Sequence, residues 1–85
     1  MRCFTVYRDG DLSATHDANQ ANAPSEPQYE GVVFTNGKVA QRWLTPIGST
    51  CVWDSFDDMW KIHGHANDDR YRTRVVWHDG GVAGP

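Results

Sequence analysis

Gly31-Val32-Val33-Phe34-Thr35-Asn36-Gly37-Lys38-Val39-Ala40-Gln41-Arg42-Trp43-Leu44 is the stretch that decides the fold. β-branched and aromatic side chains fill both arms, and Asn36-Gly37 lies between them. Such side chains suit a pleated, half-buried surface. An Asn-Gly pair tolerates the two positive φ angles of a type I′ turn, so an antiparallel hairpin is expected with both turn residues left-handed. Thr45-Pro46-Ile47-Gly48 ends the second arm, because Pro lacks a donor and Gly permits a turn. Ser49-Thr50-Cys51-Val52-Trp53 then supplies a third strand of a meander.

Working outward, Cys3-Phe4-Thr5-Val6-Tyr7 alternates, with Phe4 and Val6 on one face and Cys3, Thr5 and Tyr7 on the other. A last strand is expected over Tyr71-Arg72-Thr73-Arg74-Val75-Val76-Trp77, with Tyr71, Thr73, Val75 and Trp77 on one side. Ser55 precedes Asp57 and Asp58, the pattern of a capped helix start with acidic residues at the positive end of the dipole. Phe56, Met59, Trp60 and His63 recur at helical spacing, so a helix of about two turns should rest on the sheet, with Trp60 as its anchor and Gly64 ending it in the left-handed conformation. Between Asp9 and Gln28 the only large aliphatic residue is Leu12. A connection this long in a small domain is either functional or partly disordered. The fold expected is α+β: a small antiparallel sheet of four or five strands with one short helix packed on one face. It forms a single domain over residues 1–85, with a long polar loop at 9–28 and a flexible tail at 80–85.

Composition narrows the function. Eighty-five residues, 39% apolar and 22% charged, leave room for one core and no second domain. No apolar run approaches the roughly 18 residues of a membrane span, and Met1 to Asp9 has no apolar leader, so an intracellular start is expected. A net charge of -3 is the wrong sign for a general phosphate-backbone binder. Cys3 and Cys51 are expected as free thiols, although their strand-like settings leave adjacency open. The ten aromatic residues (four Trp, three Tyr, three Phe) are many for such a core, so some should lie at an interface, while most of Phe4, Phe34, Trp53, Phe56 and Trp77 should be core.

Three constellations carry chemistry. His63-Gly64-His65 offers two imidazoles for zinc, with Asp68, Asp69 or His78 to complete a tetrahedron. The competing reading is a helix terminus, in which charged His63 interacts with the free carbonyls of the last turn. Arg70, Arg72 and Arg74 share a face of the last strand, and Arg42 adjoins Trp43; guanidinium groups beside aromatic rings suit anions and planar bases. No Gly-x-Ser-x-Gly elbow, phosphate loop or nucleophile-base pattern is present.

Glu30 to Phe34, the Gly-x-Val-x-x-Arg-Trp pattern of Gly37 to Trp43, the acidic short helix, the His63-Gly64-His65 turn and Thr73 to Trp77 together resemble small uncharacterised proteins of phages that infect actinobacteria, of the mycobacteriophage type. The resemblance covers about residues 4 to 8 and 30 to 77 and implies a phage protein acting in the cytoplasm of the host bacterium. It carries no activity with it. The function expected is a non-enzymatic accessory protein that binds a host factor or a small anionic ligand and antagonises host defence or metabolism by sequestration. Arg42, Trp43, His63, His65, Arg72 and Arg74 are the candidate contacts, with no catalytic residue, no metal and no cofactor. A homo-oligomer is expected. The alternatives are a metal-dependent hydrolase using His63 and His65, and a weak nucleic-acid-binding module using Arg42, Arg72 and Arg74.

Overall fold

Period-two alternation places Phe4, Val6 and Arg8 on one side of the first strand, and everything else is built against that side. The computed structural model describes residues 1–79 and 82–83. The strands are β1 (Arg2–Arg8), β2 (Pro27–Val33), β3 (Val39–Trp43), β4 (Thr50–Trp53), β5 (Thr73–Trp77) and the two-residue β6 (Val82–Ala83), with α1 (Phe56–His63) between β4 and β5. All neighbours pair antiparallel, in the order β4-β3-β2-β1-β5-β6. This is the expected small α+β architecture. Of the tail at 80–85, residues 80, 81, 84 and 85 lie outside the described residues, and Val82–Ala83 pairs with β5.

Register fixes the two faces. Phe4 lies opposite Gly31 and Trp77, Val6 opposite Tyr29 and Val75, and Arg8 opposite Thr73. These residues, with Val39 and Gln41 of β3, face α1. Phe4, Val6, Tyr29, Val39, Met59 and Val75 form the buried core, and Trp43, Trp53, Phe56, Trp60 and Trp77 pack around it half-buried. Phe34 departs from expectation: it is 40% exposed, because it falls one position past Val33 and so takes the opposite parity. Cys51 lies opposite Gln41 on the helix side and Cys3 opposite Val32 on the other, so the two thiols are on different faces and free.

Two turns differ from the sequence expectation. The Asn36-Gly37 connection is a three-residue loop: Gly37 N–H donates to the Phe34 carbonyl at 2.9 Å and Phe34 N–H to Lys38 at 2.8 Å. Only Gly37 of the pair has positive φ, at 86°, so the hairpin closes with a single left-handed glycine instead of a type I′ pair. At the end of α1, Gly64 is right-handed (φ -76°) and the left-handed residue is His65 (φ 50°). Glycine is required at 64 for space, since a Cβ there would come within 2.6 Å of the Trp60 ring. The N-terminus is as expected, with the Ser55 hydroxyl accepting from Asp58 N–H at 3.1 Å. β5 starts at Thr73 because Arg72 is left-handed (φ 46°) and breaks the strand. The helix anchor is Met59, which is fully buried, while Trp60 stacks half-buried on Phe56 at 5.6 Å.

The 9–26 connection is tied down at several points. Gln28, the extra residue of a bulge in β2, is buried, and its amide exchanges two hydrogen bonds with the Asn22 backbone, at 3.0 and 2.8 Å. Asn22 Nδ2 donates to the carbonyls of Pro27 and Leu44, and Ile47 N–H to that of Asn19.

Two outcomes test this description. No atom lies within 4 Å of a Cβ built at Gly37, so Gly37→Val acts through backbone strain alone. It should cost about 1 kcal/mol or slightly more and lower the Tm by about 4–8 °C, with Gly37→Asn milder, as thermal melts will show. Met59→Ala should cost about 2–5 kcal/mol in denaturant unfolding, the range for emptying a filled core position.

Candidate anion site at Arg8

Arg8 ends β1 on the helix side, at the parity of Phe4 and Val6, and alternation therefore buries it to 4% exposure. A buried guanidinium ordinarily has a carboxylate partner. Arg8 has none among the described residues. Its Nη2 donates to the His63 carbonyl at 3.2 Å, at the negative end of α1, and the Tyr29 hydroxyl donates to the same oxygen at 3.1 Å. Its Cζ stands 5.1 Å from the Tyr71 ring and 5.5 Å from the Trp43 ring. Burial lowers the Arg8 pKa and pushes the Tyr29 hydroxyl well up, so Tyr29 remains a donor.

Three histidines gather around this cation. His63 packs edge-on to Trp43 (5.0 Å) and Trp53 (5.5 Å), His65 stacks on Tyr71 at 3.9 Å, and His16 meets Tyr71 edge-on at 5.7 Å. All three are half-buried. Burial first, then repulsion from Arg8, lowers the pKa of both His63 and His65. The charged His63 helix cap expected from the sequence is therefore not what the fold favours, because Arg8 already occupies that role.

Two donors remain unanswered here. Arg8 Nε and Thr73 Oγ1 are buried without hydrogen-bond partners, and Arg8 and Thr73 are directly opposed across β1 and β5. An unmet buried donor costs roughly 1–3 kcal/mol, so an adjacent pair is an uncommon arrangement.

Of the six sequence candidates, Trp43, His63 and His65 come together at this cluster. The other three do not. Arg42 lies on the opposite sheet face, 3.4 Å from Glu30, and Arg74 on that same face bonds the Asp9 carboxylate at 3.1 and 3.2 Å. β3 and β5 are three strand spacings apart, about 14 Å, so Arg42 and Arg74 do not converge. Arg72 donates to the Asp9 carbonyl at 2.8 Å, and Arg70 pairs with Asp68 at 2.6 Å, holding that carboxyl down at about 2. The expected arginine stripe is thus divided, with Arg70 on Asp68 and with Arg72 and Arg74 both on Asp9, one at its carbonyl and the other at its carboxylate. Among the described residues no group of three His, Cys, Asp or Glu is placed to hold a metal ion. The open face carries a shallow groove of about 340 Å³ lined by residues such as Cys3, Val32, Ala40 and Thr50, on the other side of the sheet from Arg8. Sequence reasoning missed Arg8 because it ends the strand as a charge; the signal was its parity with Phe4 and Val6.

The pH dependence of folding follows with a definite sign. Both imidazoles have folded pKa values below the unfolded one, so the unfolded chain binds more protons once the pH drops below about 6.5. This contribution is complete above that pH and is lost as the pH falls through the folded values. Melts between pH 8 and 5 should show the Tm falling on the acid side, and His63→Gln with His65→Gln should flatten that fall.

No curated protein and no solved structure matches this chain. A family model described as Acb5 phage protein matches residues 29–79, a segment that includes Tyr29, Trp43, His63, His65, Tyr71 and Thr73 of the cluster and leaves Arg8 outside. That match spans more than half of the sequence, and the chain belongs to the Acb5 phage protein family.

Proposed function

We propose that this phage accessory protein captures a small anionic ligand non-covalently at the Arg8 cluster, in the cytoplasm of the host bacterium, and antagonises host defence by sequestering it. The observation that carries the reading is the pair of opposed, buried and unpartnered donors, Arg8 Nε and Thr73 Oγ1, beside a guanidinium with no carboxylate partner among the described residues. An oxyanion satisfies both donors and neutralises the charge in one step, through charge-assisted bonds about twice as strong as neutral ones. Tyr71, Trp43 and the three histidines supply flat walls for the rest of the ligand. The match to a family of phage proteins supports a target inside the infected host.

The geometry favours capture over hydrolysis. His63 and His65 have no third ligand among the described residues, and the Arg8 cation, which after burial depresses both imidazoles, also repels a metal dication. A nucleic-acid reading has less support still, since Arg42, Arg72 and Arg74 each have a partner already.

Native mass spectrometry of protein purified from host cells tests the proposal. The expected spectrum shows a small anionic adduct that denaturation removes and that Arg8→Gln lacks, with circular dichroism confirming that the variant is folded. A bare parent mass, together with a Tm unchanged by millimolar oxyanions, overturns it.

A further inference from the structure

His63 and His65 share their surroundings with one fixed cation. The groups that face them are Arg8 from β1, Tyr29 from β2, His16 from the 9–26 connection, and Asp68 and Tyr71 from the turn before β5. Of these only Asp68 is anionic, and Arg70 engages it at 2.6 Å. In this setting burial first, and then Arg8, depress both imidazoles. An oxyanion seated against Arg8 Nε and Thr73 Oγ1 works against both causes, because it cancels the repulsion from Arg8 and gives a half-buried imidazolium N–H an acceptor and a counter-charge. Arg8 alone balances one negative charge. Arg8 with one imidazolium balances two.

Resting on the capture reading above, we propose that the site takes a divalent tetrahedral oxyanion of the phosphate class together with a proton on His63 or His65, so that binding tightens as the pH falls. The histidines are half-buried whereas Arg8 is buried, so the imidazoles remain within reach of solvent protons. The proton comes from solvent and adds to the free imidazole nitrogen as the ligand docks; no bond in the ligand is broken.

Sulfate is the suitable probe, because it stays a dianion across the range of interest and only the protein titrates. Calorimetry in two buffers of different ionisation enthalpy should show uptake of up to one proton per sulfate. Affinity should be about tenfold or more higher at pH 5.5 than at pH 8. His63→Gln with His65→Gln should abolish that gradient. Because the double variant alters the helix end, a second measurement uses the parent: NMR titration of the histidine rings should move the His63 or His65 midpoint upward when sulfate is added. Arg8-dependent sulfate binding that is equally tight at both pH values, with unmoved histidine midpoints, overturns the proton coupling and leaves anion capture standing. Sulfate that binds at neither pH, or binds equally well to a folded Arg8→Gln protein, overturns both.

Discussion

A single carbonyl oxygen holds the two layers together. The His63 carbonyl at the end of α1 accepts from Arg8 Nη2 of β1 and from the Tyr29 hydroxyl of β2, two side chains that rise from adjacent central strands. An eight-residue helix is marginal in isolation, and its last carbonyls have no partners within it. Here the sheet supplies those partners at the C-terminal end, the Ser55 cap supplies one at the other, and Met59 fills the core between them. The helix therefore cannot slide or rotate on the sheet without leaving a buried guanidinium and a buried phenol unsatisfied.

The same arrangement accounts for the chemistry of the cluster. A guanidinium held by a helix end faces only a partial negative charge, roughly half a unit, so most of its own charge is unneutralised. Burial lowers the pKa of His63 and His65, that residual charge adds to the effect, and Trp43 and Tyr71 stabilise the cation through their ring faces. The orphaned Nε and the Thr73 hydroxyl follow from strand geometry: β1 and β5 place both on the covered face, where water has little access. The polar side chains of the open face, by contrast, meet their partners in the ordinary way, as in Arg42 with Glu30 and Arg74 with Asp9.

The long 9–26 connection is ordered by side chains that imitate backbone. The Gln28 amide, carrying one donor and one acceptor, pairs with the Asn22 N–H and C=O as a neighbouring strand would. The Asn22 amide bridges the Pro27 and Leu44 carbonyls. His16 is thereby carried to the edge of Tyr71, far from it in sequence and adjacent in the fold.

Local patterns in the chain determined the strands, their inward faces, the helix and its Ser55 cap, because alternation, helical spacing and capping act over a few residues. Trp43, His63 and His65 were legible as candidates for the same reason: their chemistry is visible without neighbours. The tertiary structure alone decided that Arg8 joins them while Arg42, Arg72 and Arg74 do not. Which charge finds a partner is set by strand order, by face parity across β1 and β5, and by where α1 ends, and these are relations between segments far apart in sequence, 65 residues in the case of Arg74 and Asp9. The downward pKa shift of both histidines was decided in the same way, since burial by the fold comes first and repulsion from Arg8, a cation brought in by another strand, adds to it.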